Sequence, residues 1–118
     1  MKEDRVYLLH IRDTIERALS YTAEGKQAFF ADPRTQDAVI RNLEVIGEAV
    51  KNLSESLKAL HAGVPWTRIA GMRDKMIHEY FGVNLQLVWD VVKQELPRLK
   101  QEVEIILGTR DERQGSNG

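Results

Sequence analysis

Apolar side chains recur along this chain at the three-four spacing of an amphipathic helix, and this periodicity constrains the fold more than any other feature. The repeat appears in four long segments, and its most regular stripe lies in residues 33–53. That stripe consists of Val39, Leu43, Ile46, Val50 and Leu53. The strict alternation of a half-buried strand is not found in the sequence. The sequence therefore predicts an all-α fold, an antiparallel up-and-down bundle of four to five helices.

Capping residues and prolines predict where the helices begin. Asp32 precedes Pro33, and a carboxylate that caps free amides before a proline at the first helical position is typical of a helix start. Helix three should begin at Pro65, and Asn84 can cap helix four. Gly47 in the middle of helix two costs about 1 kcal/mol against alanine, so we expect a close approach there, by a packed helix in preference to a ligand.

The last long helix contains Pro97 inside an apolar series that keeps its helical phase from Leu85 to Ile106. Proline removes one backbone hydrogen bond, but an unbroken stripe means that both halves face the same core. We therefore expect a kink at Pro97 and not an end. The helical domain should cover 1–108, and the polar tail 109–118 should be disordered.

Composition excludes several classes of function. The chain has 118 residues, the size of one domain, and no cysteine, which rules out thiol redox chemistry and a thiolate nucleophile. It has 17 basic and 18 acidic residues, a net charge of −1, so no bulk attraction draws it to nucleic acid. Without an apolar run as long as a signal peptide or membrane span, we expect a cytoplasmic protein with no membrane partner.

One stretch combines residues that can handle a phosphate ester: Arg73, His78 and Tyr80. Arginine presents a planar fork of donors to phosphate oxygens, and histidine can give or take a proton near neutral pH. At about 100° per residue, Arg73 and Tyr80 point within about 20° of each other, whereas His78 lies about 140° away. Either the helix loosens before His78, or a second copy of the chain completes the site.

This motif resembles the R-x4-H-x-Y signature of the HepT-like toxins, a branch of the HEPN (higher eukaryotes and prokaryotes nucleotide-binding) domains. Asp74 fits the polar position that often follows the HEPN arginine. The resemblance covers roughly residues 2–108 and implies a HEPN-like domain over this segment. Outside the motif it rests on Arg41 to Ala49, Pro65-Trp66, Gly71-Met72 and Glu95-Leu96-Pro97.

The resemblance implies a homodimeric, metal-independent endoribonuclease that acts as the toxin of a toxin–antitoxin pair. Arg73 and His78 would be catalytic and Asp74 supporting. RNA would be the substrate, cleaved through attack of its 2′-hydroxyl, and no cofactor would be needed. The resemblance also implies a small nucleotidyltransferase antitoxin as partner, with Tyr80 as the acceptor of its adenylyl groups.

Two other interpretations remain open at this point. The domain could be a non-catalytic adaptor that presents nucleotide or target to a nucleotidyltransferase and is itself modified at Tyr80, or it could be a plain helical scaffold. His10 and His61 share no metal-ligand spacing with each other or with His78, so we assign no metal. Glu44 and Glu48 are interpreted as a solvated face or as salt-bridge partners of Arg41 and Lys51.

Overall fold

The long helices of this protein pack around one apolar core. The computed structural model describes residues 2–78 and 84–117, with side chains over 3–74 and 84–108. All regular secondary structure in these described residues is helical. The helices are α1 (Lys2–Tyr21), α2 (Lys26–Ala31), α3 (Pro33–Lys51), α4 (Glu55–Leu60), α5 (Trp66–His78), α6 (Leu85–Asp90) and α7 (Leu96–Asn117), with a π-helical turn, Val91–Glu95, between the last two.

Helix α3 lies at the centre of the bundle, where it packs against both α1 and α5, and α1 also packs against α7. The predicted stripe of α3 is buried along its whole length. The predicted apolar series of the last long helix begins at Leu85, which is half-buried. Its other residues, from Val88 to Ile106, are buried. These observations confirm the all-α helical bundle predicted from the sequence.

Two predicted helix starts are confirmed by their caps. The Asp32 carboxylate accepts a hydrogen bond from the Arg34 amide at 3.0 Å, and Pro33 occupies the first helical position of α3. The Asn84 side chain accepts from the amides of Gln86 and Leu87 and so begins α6. Capping satisfies amides that have no partner within their own helix.

Pro97 is the second residue of α7, two residues after the end of the π-helical turn. Proline has no amide to donate to the carbonyl four residues earlier and its ring crowds that carbonyl. The π turn accommodates this, since the Leu96 amide donates to the carbonyl of Val91, five residues back. The backbone is helical as far as Asn117. The division into a domain over 1–108 and a disordered tail over 109–118 stays a prediction.

Helix α2 was not predicted from the sequence. It is only six residues long, but it buries Phe29, which packs against the ring of Trp89 at 5.6 Å between centroids. Gly25 permits the sharp turn into this helix, because its φ of 104° lies in the region that favours glycine. A helix of fewer than two turns leaves too short an apolar pattern to recognise by periodicity.

Candidate active site

The predicted site arginine lies in a close contact between α3 and α5. A β-carbon built on Gly47 of α3 would be 2.9 Å from the backbone nitrogen of Arg73 and 3.2 Å from the carbonyl oxygen of Ala70. Real β-carbons almost never approach backbone atoms so closely. The close approach predicted at Gly47 is therefore confirmed, and the residue that approaches is Arg73.

The Arg73 guanidinium is held between two carboxylates. Its Nε lies 3.0 Å from Oε2 of Glu48 on α3, and its Nη1 donates to Oδ1 of Asp74 at 3.1 Å. No described atom of the chain, with side chains counted over 3–74 and 84–108, accepts a hydrogen bond from Nη2. The Arg73 side chain is 37% exposed, so it is anchored on one side and accessible on the other. An accessible, anchored guanidinium can receive an anionic ligand.

Arg73 faces a groove of about 470 Å³ that crosses α3 and reaches α1. The side chains along this groove are mostly polar and include an aromatic ring, an imidazole and two guanidinium groups. They belong to Tyr7, His10, Arg41, Glu44, Val45, Glu48, Ala49, Asn52 and Arg73. His10 is exposed, and it shares the groove with Arg73 although the two are 63 residues apart in sequence. The groove is large enough for a small part of a polar ligand.

The other two motif residues are described less fully. His78 is the last residue of α5, five residues after Arg73 on the same helix, and its side chain lies outside the described ones. Tyr80 falls outside the described residues altogether. The structure therefore brings Arg73 and Asp74 together, and the convergence of His78 and Tyr80 on them stays a prediction.

The sequence interpretation missed the role of Glu48. It offered Arg41 and Lys51 as salt-bridge partners of Glu44 and Glu48. The first pairing is present, with Arg41 Nη1 3.4 Å from Glu44 Oε2. Glu48 instead pairs with Arg73 across the helix contact. The only signal available in the sequence was its position next to Gly47, where a close approach was expected.

Two further features bear on the chemistry of the chain. Among the described side chains, those of residues 3–74 and 84–108, no group of three or more His, Asp or Glu is arranged to hold a metal ion. Among these same residues, no helix is both long and apolar enough to span a membrane.

An all-α bundle that presents an arginine from its motif helix into a polar groove, with histidine five residues further on, is the arrangement expected of a HEPN-type nuclease domain. The family model described as "Ribonuclease HepT-like" matches residues 11–106 of the chain. This chain therefore belongs to the HepT-like ribonuclease family.

Its curated relatives carry names of the same kind. A protein of Caldanaerobacter subterraneus subsp. tengcongensis, named as a candidate RNase, is 47% identical over 91% of this chain and 96% of its own length. The probable ribonuclease HepT of Thermococcus cleftensis is 46% identical over 83% of this chain and 90% of its own length.

A third relative has a different organisation. A Methanocaldococcus jannaschii protein, named as a gamma-glutamylcyclotransferase and candidate RNase, is 45% identical over 86% of this chain but only 46% of its own length. This chain thus spans less than half of that relative. No solved structure gave a significant match.

Proposed function

We propose that this chain is a metal-independent endoribonuclease, the toxin of a toxin–antitoxin pair, with Arg73 and His78 as its catalytic residues and Asp74 in support. The observation that carries the proposal is the Arg73 guanidinium, which is anchored by carboxylates on one side and open to a polar groove on the other. Membership of the HepT-like ribonuclease family and the names of its relatives support RNA as the substrate.

The chemistry is a transfer within the RNA chain. The ribose 2′-oxygen attacks the adjacent phosphorus, and the bond from phosphorus to the 5′-oxygen breaks. The products are a 2′,3′-cyclic phosphate and a free 5′-hydroxyl. His78 takes the 2′ proton or gives a proton to the leaving oxygen, and Arg73 stabilises the negative charge that builds on the phosphate oxygens. This scheme assigns charge stabilisation and proton transfer to side chains, and it requires the 2′-hydroxyl that DNA lacks.

The proposed active form is a homodimer. On one ideal helix, His78 points about 140° away from Arg73, so the two side chains of one chain do not converge without local distortion. A two-fold axis near the end of α5 would bring the Arg73 of one protomer to the His78 of its partner, because an isologous interface repeats each contact.

The proposed control is adenylylation of Tyr80 by a partner nucleotidyltransferase. An adenylyl group would add a negatively charged phosphodiester and considerable bulk seven residues after Arg73. On a helix the two residues point almost the same way. The added phosphate would pair with the Arg73 guanidinium. It would then exclude the RNA phosphate by electrostatic repulsion and by steric hindrance.

The direct test is cleavage of a labelled RNA by purified protein in the presence of EDTA. We expect cleavage to a 2′,3′-cyclic phosphate, no cleavage of a matched DNA, and loss of cleavage in Arg73→Ala and His78→Ala. RNA left intact by the wild-type protein would overturn the nuclease proposal. Adenylylation of Tyr80 by the partner, without any cleavage of RNA, would favour the alternative that the chain is a non-catalytic adaptor of the nucleotidyltransferase.

Mixing two inactive variants tests whether the site is shared. In a heterodimer of Arg73→Ala and His78→Ala, the one remaining Arg73 and the one remaining His78 lie on opposite protomers. If the site pairs these residues across the dimer, co-refolding the two variants should restore a substantial part of the activity. No recovery, with heterodimers verified by native mass spectrometry, would place both groups of a site on one chain.

A further inference from the structure

Arg73 has a second anchor that the motif does not contain. Asp74 follows Arg73 directly in sequence, but Glu48 belongs to another helix and lies 25 residues away. Its Oε2 is 3.0 Å from Arg73 Nε. Since Asp74 accepts from Nη1, the two carboxylates lie against different nitrogens of one planar guanidinium. Two such contacts restrict the orientation of the group more than a single contact does.

The position of Glu48 is itself tightly defined by its neighbour. Gly47 lies against the Arg73 backbone, with room for no β-carbon between α3 and α5. Glu48 is the next residue of α3, so the spacing of the two backbones also sets the distance between Glu48 and Arg73. The helix contact and the ion pair therefore depend on each other.

This ion pair contributes little to stability. The side chains of Arg73 and Glu48 are 37% and 52% exposed, and ion pairs of such exposure are worth about 0–1 kcal/mol. Glu48 also lies in the groove that contains Arg73, where a carboxylate repels a phosphate ester. The Glu48 carboxylate therefore adds little to stability and opposes the binding of an anion, so we look for its role in the orientation of Arg73.

We propose that Glu48 is a positioning residue for the ribonuclease reaction, an inference that rests on the proposed function. Glu48 holds Nε and, together with Asp74, orients the guanidinium in the groove, so that Nη2 is presented to the phosphate oxygens. Its negative charge weakens binding of the RNA ground state, while the orientation that it imposes stabilises the transition state. Orientation of this kind acts on kcat, and ground-state repulsion acts on KM.

The variant Glu48→Gln removes the charge and keeps the shape of the side chain. We expect kcat to fall by about tenfold or more, because a guanidinium that is displaced by about 1 Å can lose on the order of 10² in rate. KM should stay the same or fall, since the repulsive charge is gone. The melting temperature should stay close to that of the wild-type protein, as expected for an exposed pair.

Glu16→Gln is the matched control. Glu16 lies on α1 outside the groove, and its side chain, which is 50% exposed, also pairs with an arginine, Arg12. The same change of charge at Glu16 should leave kcat within about twofold of wild type if only the anchoring of Arg73 matters. An equal loss of kcat in both variants would mean that the net charge of the protein acts, and not positioning.

A double variant tests whether Glu48 acts through Arg73. In the Arg73→Ala background there is no guanidinium to position, so adding Glu48→Gln should cause no further loss of the residual rate. If Glu48→Gln does not fold, Glu48→Asp, which keeps the charge but is shorter by one methylene, should show an intermediate kcat.

The outcomes separate the two proposals. If the wild-type protein cleaves RNA and Glu48→Gln keeps the wild-type kcat, the positioning role is wrong and the nuclease proposal stands. A raised KM at unchanged kcat would likewise overturn it, because Glu48 would then contribute to binding alone. If the wild-type protein cleaves no RNA, both proposals fail.

Discussion

Gly47 lies directly against the backbone of Arg73 in the contact between the two helices that build the candidate site, with 2.9 Å from a β-carbon placed on Gly47 to the Arg73 amide nitrogen. The glycine lies on α3 and the arginine on α5. Because Gly47 has no side chain, the two helices can pack closely, and this contact positions the proposed catalytic arginine. The next residue of α3, Glu48, then reaches the guanidinium. The contact between α3 and α5 at Gly47 therefore also brings Glu48 within ion-pair distance of Arg73.

Replacing Gly47 by alanine should destabilise the protein and impair the site together. The added methyl group meets backbone atoms of α5, which cannot rotate away, so overpacking of about 1–3 kcal/mol should exceed the gain of about 1 kcal/mol in helix propensity. We expect a lower urea midpoint and lower RNase activity under conditions where the variant is folded.

Gly71→Ala is the control for this change. Gly71 lies on the exposed side of the same helix as Arg73, and a β-carbon there meets no atom within 4 Å. This variant should gain up to about 1 kcal/mol in free energy of unfolding and keep its activity. A stable, fully active Gly47→Ala variant would contradict the close contact.

Arg73→Lys should abolish most of the activity with little change in stability. Lysine keeps the positive charge but lacks the planar fork that contacts Glu48, Asp74 and a phosphate at once. The expected loss in kcat is about 10²–10³, comparable to removal of a donor from a transition-state site. It is measured by RNA cleavage under saturating substrate.

Arg68→Lys provides the comparison on the same helix. Arg68 is also paired with a carboxylate, that of Glu95, but it lies in a different cavity, between α5 and the start of α7. The same substitution there should leave the cleavage rate within about twofold of wild type. Equal losses at both positions would show that Arg73 has no special part in catalysis.

Much of the bundle could be predicted because it depends on local signals. The stripe of α3, the Asp32 cap and the Asn84 cap are each encoded within a few residues, and all three are confirmed. The family could be recognised from residues 73–80 and the segments around them. The close approach at Gly47 could be predicted because glycine destabilises the interior of a helix, and close packing explains its presence there.

The pairing of Glu48 with Arg73 could not be predicted in the same way. It depends on how α3 and α5 are rotated against each other, and two amphipathic helices can bury their stripes at more than one relative rotation. Glu48 had nearer cationic candidates in sequence, such as Lys51. For the same reason, the groove that unites His10 with Arg73 follows from the packing of α1 on α3 and has no signature in either helix.

Ser54→Ala should destabilise the fold, because one hydroxyl serves two helices. Ser54 Oγ donates to the buried carboxylate of Asp4 on α1 at 2.6 Å and accepts from the Leu57 amide at 3.2 Å, which caps α4. Losing the cap and a hydrogen bond to a buried carboxylate should cost about 1–3 kcal/mol in free energy of unfolding by urea.

Ser20→Ala is the control for the loss of a hydroxyl. Ser20 is an exposed residue near the end of α1, and its side chain makes no hydrogen bond within the part of the chain that the structure describes. Its replacement should change stability by less than about 0.5 kcal/mol. Similar losses in the two variants would argue against the link between Asp4 and Ser54.

The cap of α3 should make stability depend on pH. The pKa of Asp32 is lowered, mainly by the hydrogen bond that its carboxylate accepts from the Thr35 hydroxyl and further by the amides of Arg34 and Thr35. A carboxylate whose pKa is lower in the folded chain than in the unfolded chain stabilises the fold above the unfolded pKa, about 3.9 for aspartate, and loses that contribution as the pH falls through the folded pKa.

Asp32→Asn removes this titration but keeps a side chain that can cap. The wild-type protein should therefore be the more stable of the two at pH 7, and the difference in urea midpoint should shrink steadily between pH 5 and pH 2. Asp37→Asn, the same change of charge on an exposed position of α3, controls for net charge. A midpoint difference between wild type and Asp32→Asn that stays constant down to pH 2 would mean that the Asp32 charge does not contribute to the cap.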